Sequence, residues 1–296
     1  MPSITSGSGS TPHDVTQLLD GMAHQPTPAL VFYGTDGGRV ELSGRVFENW
    51  VSKTANFFVD DLGLMAGDTV VVDSTAHWRT AVVLAAAWRV GAVVELVDPT
   101  PGTSPAEGDG AGLNPGAGAS GANSASMSES VSAAQVVVLL DGDAPSGAPE
   151  SAAAKTEVLR QWGTPEEVLV LAYPALALSL TQERLPDGAL DYCAEIRAHG
   201  DHWSGGPSAG ADHTALRVEG RAWTGHELFE ERSEHVRVLS ETPVTAVRLE
   251  VAHWTHRSIA QLLAIWSTGT TAVLTDREDQ DIARIMTSER VGLSWR

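Results

Sequence analysis

Lysine is nearly absent from this chain. Only Lys53 and Lys155 occur among 296 residues, and none follows position 155. Any chemistry in the second half that needs a positive side chain therefore falls to arginine, whose planar fork differs from an ammonium in shape and reach. Cysteine is scarcer still. The single thiol, Cys193, excludes an internal disulfide and fits a reducing cytoplasm. It sits in "DYCAEIRAHG", a helical stretch with no second cysteine near it, which predicts a buried structural thiol rather than a nucleophile. No apolar run reaches the roughly 20 residues of a membrane span. The start, "MPSITSGSGSTPHD", has no basic region followed by an apolar one, so residues 1–14 are expected to be a mobile tail and not a signal peptide. Positive charge is short overall: 19 Lys and Arg against 38 Asp and Glu leave a formal charge of −19. Such a chain is repelled by nucleic acid and by anionic lipid, which excludes both as partners.

What is present is the alternation of an α/β protein. "ALVFYGTDGGRVEL" places two β-rich runs around a Gly/Asp turn, a hairpin signal. Ser43 can cap a helix from about Gly44 to Asp61, on which Val46, Phe47, Trp50, Val51, Phe57 and Phe58 recur at helical spacing. "TVVVDS" then reads as a strand covered on both faces, "TAHWRTAVVLAAAWRVG" as an Ala-rich helix ending at Gly91, and "AVVELVDP" as the next strand. Strand, helix and strand within about thirty residues make a βαβ unit with a parallel pair. The expected fold class is α/β, a mostly parallel doubly wound sheet with flanking helices.

After a first α/β subdomain at 15–100, residues 101–132 contain mainly Gly, Ala, Ser and Pro and read as a low-complexity insert. A second α/β subdomain, 133–296, follows. Its strands are "AAQVVVLLDG", "EEVLVLAYP", "PVTAVRLEVA" and "AVLTD"; its helices include "TGHELFEERSEHVRVL", capped by Thr224, then Ser258–Trp266 and Asp279–Glu289, which closes the chain.

The order of elements over residues 26–99 resembles the N-terminal region of the adenylate-forming, AMP-binding superfamily, which includes acyl-CoA synthetases, peptide-synthetase adenylation domains and luciferases. Residues 205–296 match more loosely. More specifically, with "LPDGALDYCAEIRAHGDHWSG", the chain is similar to a short actinobacterial family related to those enzymes. The resemblance implies ATP or AMP with Mg as the ligand, or an acyl-adenylate. In the superfamily a Ser/Thr/Gly-rich loop ending in Pro-Lys-Gly cradles the phosphates. "STGTT", Ser267–Thr271, has that composition but the wrong polarity. It stands between a helix and a strand, whereas an anion cradle needs strand, loop and then helix. Gly269 is expected to end the helix. By position the counterpart is "SGGPSAGADHTA", in which Ser204, Gly205, Gly206, Ser208 and Gly210 keep the small-residue character without the lysine. The family's adenine- and Mg-binding motif, ribose-binding aspartate and C-terminal lysine all lie beyond the matched stretch. Phosphoryl chemistry needs cations at fixed positions. The resemblance therefore implies a degenerate, truncated relative that binds a nucleotide, an acyl-adenylate or a partner protein without complete adenylation chemistry.

Three other readings stay open. A partner chain could supply the missing lid and complete an adenylating enzyme. "GPSAG" fits the Gly-x-Ser-x-Gly pattern and would make Ser208 a hydrolase nucleophile, although no helix follows it. The protein could also be structural and hold no ligand. Ten histidines invite a metal, but neither His199, His202 and His213 nor His253-x-x-His256 has a known ligand spacing, so no metal site is expected. Among the nine tryptophans, Trp50, Trp88 and Trp266 fall on apolar helix faces and are assigned to the core.

Overall fold

A computed structural model describes residues 12–98, 134–143, 149–205, 210–276 and 279–296. The 101–132 insert therefore lies outside the described residues, as do most of the tail, Gly206 and Ser208. The hairpin forms as the sequence predicts: β1 (Pro28–Tyr33) runs antiparallel to β2 (Arg39–Ser43). Gly37 has φ 84° in the connecting turn, and the Asp36 carboxylate accepts from Gly38 N–H at 2.8 Å. β2 alternates, with Arg39 and Glu41 outside and Val40 and Leu42 inside. Ser43 then caps α2 (Gly44–Asp60), its Oγ accepting from Val46 N–H at 3.2 Å.

The βαβ unit follows as β3 (Thr69–Asp73), α3 (Trp78–Val90) and β4 (Val93–Val97), with β3 and β4 parallel. Every residue of α3 is buried, as its unbroken run of small and apolar residues demands. Its two arginines need partners inside. Arg89 pairs with Glu48 at 2.9 Å and with Asp20 at 2.5 Å.

Beyond the insert come β5 (Val136–Asp143), β6 (Pro149–Glu150), α4 (Ala152–Trp162), β7 (Glu167–Ala172), β8 (Leu190–Asp191) and the short α5 (Tyr192–Glu195). Cys193 lies on α5 and is buried, and burial pushes its thiol pKa up. Next are β9 (Thr214–Val218), β10 (Arg221–Thr224) and α6 (Gly225–Glu241), opened by a capping box between Thr224 and Glu227. The chain then runs through β11 (Ala246–Leu249), α7 (His256–Ser267), β12 (Thr271–Thr275), α8 (Asp279–Ser288) and β13 (Val291–Trp295). The closing strand β13 is a departure from the sequence reading, which ended on a helix. In "VGLSW" only alternate positions are apolar, and a bulge between its first residues interrupts the ladder.

Parallel pairing dominates, but in two sheets. One has the order β10-β9-β4-β3-β5-β7-β8, with β6 beside β5; the other has the order β13-β11-β12-β1-β2. Strands from both sides of the insert enter each sheet: β4 pairs with β9, and β1 pairs with β12 through Leu30↔Ala272. The turn Ser267–Thr271 is a helix exit. Thr268 follows the last turn of α7, Gly269 takes φ 69°, and β12 begins directly.

Candidate binding cleft

Parallel strands deliver their next residues to one edge, and in open α/β sheets that edge is where ligands bind. Here the carboxyl ends of strands from both sheets meet. Behind β3, Ala76 N–H donates to Ala252 O at 2.8 Å, and Trp254 N–H donates to Ser74 O at 2.6 Å. Thr75 and His253 form a bridge, and Ser74 Oγ lies 3.2 Å from His253 Nδ1. The β1–β2 turn reaches the segment after β7. Tyr173 OH is 3.0 Å from Thr35 Oγ1, and Ala175 N–H donates to Asp36 at 3.1 Å.

Beside these contacts opens a cleft of about 280 Å³ lined by Thr75, Ala76, Tyr173, Arg248, Glu250, Val251, Ala252, Thr275 and Asp276. Its size is near the low end of the roughly 300–1,000 Å³ of small-molecule sites. Its charges are largely matched to one another. Arg248 Nη1 donates to Glu250 at 2.9 Å, and Arg296 Nε donates to the other Glu250 oxygen at 2.6 Å. The Arg296 hydrogen bond holds the Glu250 carboxyl below the usual carboxylate range, so it stays ionised at neutral pH. Arg248 is the only Lys or Arg among the described residues that line the cleft, and Glu250 already engages it. Both lysines lie elsewhere. Lys155 Nζ is buried against Asp73 at 2.6 Å and donates to Leu140 O at 3.0 Å; Lys53 Nζ donates to His199 O. No group of three or more His, Cys, Asp or Glu among the described residues could hold a metal. Among the described lining residues the one guanidinium is thus already paired with a carboxylate.

The supporting layer is tightly built. Gly142 in β5 passes against Tyr173, and a Cβ there would overlap the tyrosine's own Cβ. Gly142→Ala should destabilise the fold by about 1–3 kcal/mol through this overpacking and displace Tyr173 from the cleft wall. A denaturation midpoint equal to that of the wild type would contradict this. Behind Tyr173 lies His77, 5.5 Å away between ring centroids and fully buried. It caps α3: Nδ1 accepts from Arg79 N–H at 3.1 Å, so the ring hydrogen sits on Nε2, which has no hydrogen-bond partner among the described residues.

Burial, and then the Arg79 charge, press the His77 pKa well below the ordinary 6.5. The unfolded chain takes up this proton below about pH 6.5 and the native state does not. The stability tied to His77 is thus complete above that pH and declines by about 1.4 kcal/mol per unit below it. Between about pH 6.5 and 5, urea midpoints of His77→Asn should fall less steeply than those of the wild type by one proton's worth. Parallel curves would overturn the assignment.

Of the sequence-predicted loop residues, Ser204, Gly205 and Gly210 are among the described residues, and Gly206 and Ser208 are not. Ser204 and Gly205 lie exposed in the loop after α5. Gly210 stands before β9, beside Gly91 and Ala92, which lead into β4; there it borders a hollow of about 50 Å³ at the amino ends of the strands, opposite the cleft. The histidines do not converge. His256 stacks on Trp223 at 4.6 Å, His199 faces Asp61 at 3.2 Å, and His253 meets Ser74. Sequence reasoning missed Thr75, Tyr173, Arg248, Glu250 and Asp276. The available signal was their position, in or just after "VVVDST", "VLAYP", "VRLE" and "AVLTD", where predicted parallel strands end.

Comparison with known proteins follows this geometry. No family model matches the chain. It is 28% identical over 187 residues to the "TIGR03089 family protein" of Mycobacterium tuberculosis, covering 62% of this chain and 59% of that relative. Among solved structures, an acyl-CoA synthetase from Brucella canis superposes with a TM-score of 0.67 at 14% identity, over 97% of this chain and 48% of that one. ATP-bound MatB from Rhodopseudomonas palustris gives 0.60 at 14% identity, over 95% and 49%. Coronafacic acid ligase from Pectobacterium brasiliense gives 0.62 at 12%, over 95% and 49%. The chain spans about half the length of these structures and less than two thirds of the curated relative. Its fold is that of the adenylate-forming, acyl-CoA synthetase-like enzymes over that span, and its sequence is similar to the mycobacterial protein.

Proposed function

We propose that this protein binds a small ligand of the adenylate class, a nucleotide or an acyl-adenylate, in the cleft between its two sheets, and does not by itself complete adenylation. The observation that carries this is the cleft's place, at the carboxyl ends of strands from both sheets of an acyl-CoA synthetase-like fold. Both lysines lie outside the cleft lining, so the chain brings no ammonium to a developing phosphate charge there. Two sheets with a crevice at their carboxyl ends, and no lysine in the described lining, support a reading as a binding fold.

A thermal-shift series with ATP·Mg, AMP, CoA and a nonhydrolysable acyl-adenylate mimic tests this reading, beside a pyrophosphate-exchange assay. A ligand at about 100 times its dissociation constant adds about 2.7 kcal/mol. In a chain of this size that raises the midpoint by very roughly 5 °C. A shift with AMP or the mimic, without exchange, is the expected result. Exchange by the isolated chain would refute the loss of chemistry, and no shift with any ligand would refute binding.

A partner protein is a second reading with its own support. The loop after β7 exposes Leu176 at 71% and Leu178 at 67%, although buried Arg79 fixes its backbone. Fixed, exposed leucines suit a protein contact.

A further inference from the structure

We infer that Arg248 is the cleft's anchor for one anionic oxygen of the ligand, the phosphoryl oxygen of a nucleotide or acyl-adenylate. This rests on the cleft being the ligand site, and it names the residue and the chemical group that decide what binds there.

The head group of Arg248 is only partly used. Its side chain is 14% exposed, and Nη1 donates to Glu250 at 2.9 Å. Nε is enclosed and has no acceptor among the described residues. Nη2 has none either and is not among the enclosed atoms, so it is the part of the guanidinium that a ligand in the cleft reaches. On the neighbouring strand Ser294 stands in register with Arg248, and its Oγ is likewise enclosed without a partner among the described residues. Two buried donors that share a register and lack an acceptor are uncommon in native proteins, and a bound acceptor is one of the few explanations for them.

Glu250 leaves this capacity in place. It takes one of the five N–H groups of the guanidinium, and it is itself shared, with Arg296 Nε on its other oxygen at 2.6 Å. One carboxylate thus lies between two guanidiniums, and an anionic oxygen on Arg248 extends the alternation of charge by one step. Asp276 stands on the same wall, so what favours the anion is a directed N–H and not the net charge of the cleft. A hydrogen bond between charged groups is about twice as strong as one between neutral groups. Tyr173, Val251 and Ala252 supply the apolar surface on which a base or acyl chain can lie.

The test is calorimetric titration of the full chain with adenosine, AMP, an acyl-sulfamoyl adenosine and inorganic phosphate. In the wild type, AMP and the sulfamate, each of which carries an anionic group where adenosine has a hydroxyl, should bind at least about ten-fold tighter than adenosine. Arg248→Gln should bring AMP to within about three-fold of adenosine and leave adenosine itself unchanged. Glu250 keeps Arg296 in that variant, so no carboxylate is left unpaired. Arg248→Lys should fall between the two, because an ammonium keeps the charge without the planar fork. Should the variants fold poorly, the wild type decides alone: the advantage of AMP over adenosine should be present and should shrink as salt rises. AMP binding no tighter than adenosine, or keeping its full advantage in Arg248→Gln, would refute the anchor while the cleft stands as a nucleoside site. Phosphate binding as tightly as AMP, lost in Arg248→Gln, with no binding of adenosine, would support the anchor and refute the adenylate class. If none of the four binds, both the anchor and the ligand reading fall.

Discussion

Lys155→Met should lower the thermal midpoint by about 6–10 °C, because it leaves a carboxylate buried without its cation, a change that costs about 3–5 kcal/mol. The Lys155 and Asp73 side chains are 4% and 1% exposed, and their charged atoms lie 2.6 Å apart. Asp73 ends β3, and its oxygens also accept from Thr75 N–H and Oγ–H and from Leu140 N–H. Lys155, on α4, donates in addition to Leu140 O. One ion pair thus ties together the carboxyl ends of the adjacent strands β3 and β5 and the helix behind them, directly beneath Thr75 in the cleft wall. Methionine keeps the apolar stem and removes the charge, so the loss isolates the pair. Adding Asp73→Asn to Lys155→Met should restore more than half of the lost stability, since the amide oxygen still accepts and no charge remains. A single variant within about 1 kcal/mol of the wild type would show that water or a neighbouring group reaches the site.

Arg79→Met should be about as damaging, with an expected loss of about 3–5 kcal/mol. This arginine is 2% exposed, yet its hydrogen bonds go to backbone carbonyls: Nη1 to Ala172 O at 2.7 Å and Pro174 O at 2.9 Å, and Nη2 to Ala177 O at 2.9 Å. Its guanidinium also lies over the Trp78 ring at 4.4 Å. Removing it takes a charged donor from three carbonyls at once, and they belong to the segment that carries Tyr173 into the cleft. The loss should be local as well as global. Limited proteolysis between about residues 173 and 180 should become fast while the sheets remain protected. Arg79→Lys should rescue little, because an ammonium cannot span carbonyls that lie along a turn as the planar fork does. An unchanged cleavage pattern in Arg79→Met would mean that the segment is fixed by something else.

How far the sequence predicts this molecule depends on distance along the chain. Ser43, Gly91, Thr224 and Gly269 act on their immediate neighbours, and each starts or stops its element as expected. The parallel βαβ unit was equally plain. Its valine run and Ala-rich helix have no exposed face, and the structure buries them throughout. The division into two sheets was not legible, because it depends on pairs such as Leu30↔Ala272, which no local pattern announces. The cleft was harder still. Its polar residues come one or two at a time from the ends of separate strands, and a lone Glu250 or Asp276 looks like any turn carboxylate. Small-residue composition drew attention instead to Ser204–Gly210, whose last member stands at the amino end of β9. The scarcity of lysine was informative from the start. Only the structure shows that Lys53 and Lys155 are tied to His199 O and Asp73.

The most direct test of the cleft as a ligand site is calorimetric binding of the nonhydrolysable acyl-adenylate mimic to the wild type and to Ala252→Trp. Ala252 is an exposed lining residue, so an indole there fills the opening without entering the core. We expect saturable binding to the wild type, with affinity reduced by about ten-fold or more in the variant at an unchanged thermal midpoint. Equal affinity in both proteins would place the ligand elsewhere and contradict the assignment of this cleft.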